Sequence, residues 1–344
     1  MCRLGLVCIV VLASSGAIEA QDDLAIDQIA DGNQLAGNSV DVQSLEALTD
    51  ALLAQMMDFR TLGNLTQSGM NTVNTVAFGG DLGAVVQRFH GEQSVSNLAA
   101  LGSYSVGGLL FQDGKNVAGM ASADTLAFAD QLFGADARQL IFNNAEIAYL
   151  SGGVSQRGSN TANMVTAERA IGTASQTIEL GAVQRVDNVL HLAAMASVDA
   201  YISQYGENYG NVMQSDTVDS ATRIFAGDQI VHNVVTLEEL SAGRIDQRGV
   251  NVANMIQSSR IGSITQISVG TQSVINQVFG PNGQLLTGDN IVQSTDNMVN
   301  VTILTAPDGN NDNGLLSVEQ SADFPQSMTG NSGSQTGNAV VINR

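Results

Sequence analysis

The sequence predicts an all-β protein: a β-solenoid of strand–turn–strand rungs of about 22 residues, with Gln and Asn ladders on its inside. Three observations predict it: an excess of amide side chains, their regular recurrence, and the strand face they share with the aliphatic residues. The 344 residues include 27 Gln and 28 Asn, against 13 Lys+Arg, 3 Pro and no Trp. Aromatic residues make up only 4%, so any core has to be aliphatic.

One pattern recurs: Gln, three residues, Asn. It occurs at Gln34/Asn38, Gln67/Asn71, Gln93/Asn97, Gln112/Asn116, Gln139/Asn143 and Gln156/Asn160. It continues at Gln184/Asn188, Gln204/Asn208, Gln229/Asn233, Gln247/Asn251, Gln272/Asn276 and Gln293/Asn297. Chance placement of this many amides gives roughly two such pairs, so the array is a repeat. From Gln67 onward the steps alternate between long (25–28 residues) and short (17–21 residues), a double unit of two rungs. First-type rungs read apolar-x-Gln-x-Gly-x-Asn-x-x-Asn, as in Ile245-Asp-Gln247-Arg-Gly249-Val-Asn251-Val-Ala-Asn254. Second-type rungs replace the Gly after Gln by Val95, Ile141, Val186, Val231 or Val274.

Parity converts the repeat into structure, because alternate residues of a strand share a face. Two residues before the first-type Gln stand Leu65, Leu110, Val154, Ile202, Ile245 and Ile291, all apolar. Two residues after Asn stand small or apolar residues such as Val73, Ala118, Leu190, Val235 and Ala253. The opposite parity carries Ser68, Asp113, Arg157, Arg248 and Ser294. The amides therefore point inward with the apolar set. An inward amide is costly unless its hydrogen bonds are met. Identical amides stacked rung upon rung meet them, each carbonyl accepting from the neighbouring NH2. Around thirteen rungs at the spacing of paired strands give a stack of roughly 60 Å.

Charge and cysteine usage exclude other classes. A net charge of −20, with Lys115 as the single lysine, argues against a nucleic-acid partner, which needs clustered cations. Met1–Ala20 reads as a secretory signal, with Arg3, an apolar run over Leu4–Ala13, and cleavage after Ala17 or Ala20. Cys2 and Cys8 leave with it, so the mature chain is expected to hold no disulfide and to be exported. No later stretch is long and apolar enough to be a transmembrane segment.

At its first-type rungs the chain resembles the curlin family, the subunits of bacterial curli fibres. Curlin rungs carry Gln-x-Gly-x-x-Asn-x-Ala and then a second Gln. Ile202-Ser-Gln204-Tyr-Gly206-Glu-Asn208 and Ile245–Ala253 are similar to that, with Gln214 and Gln257 in the closing place. The resemblance covers roughly residues 60–303 and departs in the Gly–Asn spacing, in the second-type rungs and in the number of rungs. It implies export to the cell surface, end-to-end self-assembly into amyloid-like fibres, adhesion and biofilm matrix. The partners it implies are an outer-membrane secretion pore and a nucleator. A monomeric or anchoring adhesin of the holdfast-attachment type, binding a surface or polysaccharide, is the alternative.

The sequence thus divides into a signal (1–20), an N-terminal segment (21–60), the repeat solenoid (61–303) and a turn-rich C-terminal segment (304–344). Within the second, Leu45, Leu48, Leu52, Leu53 and Met56 follow helical spacing, with Asp41 as N-cap. The helix over 43–59 is expected to cap a bare end of the stack, or to dock a partner. In the last segment, Asp308, Asn310, Asp312 and Glu319 match positions 1, 3, 5 and 12 of an EF-hand-type calcium loop. Asn313 occupies the place of the required Gly, and a polar turn is the other reading. Gln335-Thr-Gly337-Asn338-Ala339 resembles a shortened final rung. His90, His191 and His232 lie near second-type Gln residues without metal-ligand spacing, and no convergent carboxylate pair stands out. No catalytic residue is assigned, and the chain is read as a structural protein, not an enzyme.

Overall fold

The computed structural model describes residues 25–41, 61–62, 64–195, 197, 199–239, 243–305, 314–323, 326–330 and 332–343. The signal, the 43–59 helix and Asp308, Asn310 and Asp312 of the calcium loop lie outside them. Eighteen strands follow one another: β1 (Ala25–Asp31), β2 (Gln34–Asp41), β3 (Thr61–Leu62), β4 (Leu65–Ala77), β5 (Asp81–His90) and β6 (Glu92–Val106). Then come β7 (Leu109–Phe133), β8 (Arg138–Leu150), β9 (Gly153–Ile178), β10 (Val183–Met195), β11 (Tyr201–Phe225) and β12 (Asp228–Leu237). The last are β13 (Arg244–Val269), β14 (Thr271–Phe279), β15 (Ile291–Thr305), β16 (Gly314–Asp323), β17 (Gln326–Thr329) and β18 (Ser332–Asn343). A 3-10 turn, Pro281–Gly283, stands between β14 and β15.

Among the described residues every pairing between these strands is parallel, as a solenoid requires, and the isolated bridge Phe279–Leu285 is antiparallel. Each coil has three faces. The front face takes β4, the first halves of β7, β9, β11 and β13, then β15 and β18. The long strands bend, and their second halves form a side face with β1, β5 and β16. The back face is a separate sheet in the order β17-β14-β12-β10-β8-β6-β2. A first-type rung therefore supplies the front and side faces and a second-type rung the back face alone, which is why long and short steps alternate.

The stacking unit is the double unit, not the single rung. Gln67 lies in register with Gln112, and Gln93 with Gln139, whereas the two rung types face each other within one coil. Like stacks on like because only identical side chains continue a ladder. Pairing rungs side by side leaves seven coils and a described height of roughly 30 Å at the usual strand spacing, half the height expected from thirteen stacked rungs.

The interior alternates apolar and amide bands. At one margin Leu110, Val154, Ile202 and Ile245 pack on Ile147, Leu190, Val235 and their neighbours. Beyond the first amide band comes a cluster with Phe89, Phe133, Ile178 and Phe225, in which the Phe89 and Phe133 rings are 5.5 Å apart. Between front and side faces lie Val85, Leu126, Ile171, Met213, Val218 and Ile256.

Candidate functional site: the amide columns and the ends of the stack

The parity argument holds in the structure: Gln112, Asn116, Gln156, Asn160, Gln204, Asn208, Gln247 and Asn251 are all buried, as are their back-face counterparts. The front Gln column runs Gln67, Gln112, Gln156, Gln204, Gln247, Gln293, with Nε2 to Oε1 distances of 2.7–2.8 Å. The front Asn column runs Asn71, Asn116, Asn160, Asn208, Asn251, Asn297 at 2.9–3.0 Å. On the back face Gln34, Gln93, Gln139, Gln184, Gln229 and Gln272 join at 2.7–2.9 Å. Asn38, Asn97, Asn143, Asn188, Asn233 and Asn276 join at 2.8–2.9 Å.

Each amide also clamps the opposite face. Gln112 Nε2 donates to the carbonyls of Asn97 (3.1 Å) and Asn144 (3.0 Å), and Asn143 Nδ2 to that of Arg157 (2.6 Å). These bonds fix which end of each amide is nitrogen, since a flipped amide would set oxygen against a carbonyl. Both N–H groups and the oxygen are thereby used, which meets the requirement for burying an amide.

Two further columns were not expected from the sequence, one lying outside the Gln/Asn pairs and one formed by a motif residue to which the sequence assigned no ladder. On the side face Gln28, Gln87, Gln131 and Gln176 form a ladder at 2.7–2.8 Å, and Gln320 donates to Gln266 at 2.7 Å. Their spacing of about one double unit was the available signal. No Asn follows four residues later, so a search on the pair passes over them. The last Asn of the first-type motif forms the other column: Asn163, Asn211, Asn254, Asn300 and Asn338 join at 2.8–3.0 Å. These residues bend the strand in the left-handed region, with φ from 48° to 57°. Asn is among the few residues that tolerate that conformation. Gly119 takes the same position in its coil with φ 68°, which is why that rung departs from the motif there.

The columns have a direction. Every Gln column donates toward the amino-terminal coil and every Asn column toward the carboxy-terminal coil, as in Gln204 to Gln156 and Asn208 to Asn251. Among the described residues, the faces finish on β4, β1 and β2 at one end and on β18, β16 and β17 at the other. The final rung keeps the bend but exchanges an amide, Gln335 standing in register with Asn297 while Asn300 donates to Asn338.

The exterior carries the charge. On the front face Arg248 lies over the Tyr205 ring at 5.7 Å and Tyr205 Oη donates to Glu207 at 2.5 Å. Burial and the neighbouring Glu207 carboxylate lift the Tyr209 hydroxyl to a pKa of about 12. Burial also raises the Asp113 carboxyl above its ordinary value, against the pull of Arg157 and Lys115. A shallow depression of about 570 Å³ is lined by Arg157, Tyr205, Arg244, Asp246, Arg248 and Ser294.

The histidines sit at the surface beside carboxylates: His90 with Asp136 (3.3 Å), His191 with Glu238 (3.1 Å) and His232 with Asp187 (3.1 Å). Of the proposed calcium ligands, only Glu319 is described; it lies on β16, exposed and in register with Thr265. Among the described residues no cluster of three or more His, Cys, Asp or Glu is placed to hold a metal, and no helix is long and apolar enough to cross a membrane. Comparison of the chain with protein-family models, with curated proteins and with solved structures finds no match.

Proposed function

We propose that this chain is a secreted, curlin-like structural subunit that assembles end to end into amyloid-like extracellular fibres serving attachment and matrix. One observation carries the reading: amide columns of fixed polarity run through a parallel stack whose sheets finish on strand edges. Such edges are templates for further pairing. A second copy added head to tail keeps the columns pointing the same way, whereas head-to-head contact sets like ends of a column against each other. The acidic exterior restrains association elsewhere on the surface. Export through an outer-membrane pore and a separate nucleator belong to the same proposal.

Purified mature protein is expected to bind thioflavin and to give fibre diffraction with a meridional spacing of about 4.8 Å. A protein that stays monomeric and dye-negative at all concentrations sinks the polymer reading.

The front exterior favours a second reading, an adhesin that meets a polysaccharide. Tyr201, Tyr205 and Tyr209 lie on the same face of β11, beside Arg244 and Arg248. It predicts saturable polysaccharide binding by the monomer, lost in Tyr205→Ala with the fold intact.

A further inference from the structure

In the side-face Gln column one coil carries an arginine. Arg223 lies in register with Gln176 of the coil before and Gln266 of the coil after, and it is fully buried. Its Nε donates to Gln176 Oε1 at 3.0 Å, continuing the ladder by one bond. Neither Nη1 nor Nη2 has a hydrogen-bond partner. Gln266 meets the same break from the other side: its Nε2 donates to the Asn254 carbonyl (2.6 Å), and arginine offers no acceptor for the ladder bond made in other coils. Two nitrogens of a guanidinium and an amide N–H thus meet with donors only.

The surroundings do not supply a counter-charge. The inward neighbours of Arg223 on its own strand are Ala221 and Phe225, both buried in apolar clusters. Among the described residues the other buried charged side chain is Asp187, which is held by Arg185 (2.8 Å) and His232 (3.1 Å). A guanidinium is not deprotonated in proteins, and a buried cation is strongly unfavourable unless paired. Burial alone pulls its affinity for the proton well below the ordinary value, which measures that stress.

We propose that Arg223 anchors an internal binding site for one small monovalent anion of halide size, held by Nη1 and Nη2 with the Gln266 amide as further donor. One negative charge neutralises the guanidinium, and its acceptor capacity matches a cluster that has only donors. Sulfate and phosphate bring more negative charge than one guanidinium neutralises, and the excess would itself be buried unpaired. Because the site is enclosed, the ion binds the folded chain and not the unfolded one, so it raises stability by mass action.

The test is urea unfolding of the full chain in sodium chloride against sodium gluconate at matched ionic strength. The wild-type midpoint is expected to rise with chloride and to saturate, by an amount equivalent to several degrees in Tm. Arg223→Gln installs the residue that the other six coils carry at this place, and is expected to unfold independently of chloride at or above the chloride-saturated wild-type midpoint. Arg223→Met, which keeps the apolar stem and removes every donor, is likewise expected to be chloride-independent. Equal wild-type midpoints in the two salts overturn the site, and so does a chloride dependence that persists in Arg223→Gln. Crystals soaked in bromide are expected to show anomalous density beside Nη1 and Nη2; bromide found only elsewhere also overturns it.

Discussion

Val231 fills the space that a side chain on Gly206 would need: its Cγ1 lies 2.5 Å from where a Cβ would stand. The same relation joins Gly114 to Ile141 and Gly249 to Val274. The two rung signatures, Gly after Gln in one and an aliphatic residue in the other, are therefore halves of one contact. It lets the front and back sheets approach closely enough for amides to reach across.

Gly206→Ala is expected to destabilise the protein by about 2 kcal/mol, the usual penalty for overpacking a tight interior. Adding Val231→Ala should recover part of that loss, giving a coupling that a double-mutant cycle in urea resolves. Gly37→Ala, where a Cβ meets nothing within 4 Å, is the control and should change stability by less than about 0.5 kcal/mol.

Asn251 donates to Asn297 and to the Ser273 carbonyl and accepts from Asn208. Asn251→Ala leaves those partners unmet in a dry interior and should cost about 2–4 kcal/mol. Gln204→Ala should behave alike. Arg248→Ala, whose side chain is 59% exposed, should cost less than about 1 kcal/mol. Thioflavin kinetics are expected to rank the variants in the same order, and equal effects would count against assembly through the ladders.

Gly119 interrupts the column of bent asparagines between Asn74 and Asn163. Its φ of 68° suits asparagine, and Asn163 Oδ1 lies 3.0 Å from the place a Cβ would take. Gly119→Asn is therefore expected to stabilise by about 1 kcal/mol, combining a ladder bond with lower unfolded-chain entropy. A lower melting temperature would show that the close Asn163 oxygen resists the new side chain.

Tyr209 ties stability to alkaline pH. Its hydroxyl is lifted from the usual value of 10.0 to about 12, by burial first and Glu207 second. The folded state therefore holds this proton more tightly than the unfolded chain. Its contribution is complete below pH 10 and is lost as pH rises toward 12. Tyr209→Phe should lessen the slope of that part of the stability–pH curve, leaving the share of Tyr205, whose hydroxyl burial and Glu207 also raise, and ultraviolet titration of the tyrosines should lose its component near pH 12.

The inward columns could be read in the sequence because strand parity is strict: once Gln67 and Leu65 share a face, so do Asn71 and Val73. What parity does not decide is which rung lies above which. The alternating steps and the Gly–Val signatures held that information, but it becomes readable only when Gly206 and Val231 are set opposite each other. The side-face column was hidden because Gln87 and Gln131 lack the Asn that flags the other columns. Arg223 was hidden for a different reason, since an arginine in a strand otherwise belongs to a solvated face.

The opposed directions of the Gln and Asn columns also govern how far the stack can extend. In an α-helix, aligned peptide dipoles add along the axis and leave partial charge at each end. Here the dipoles of three glutamine columns run against those of three asparagine columns, and the alternating peptide dipoles of a sheet leave little of their own. Lengthening the stack therefore accumulates almost no axial dipole. No dipole penalty grows with the number of coils, and the net charge of −20 that each chain carries is left as the electrostatic term that opposes adding another copy.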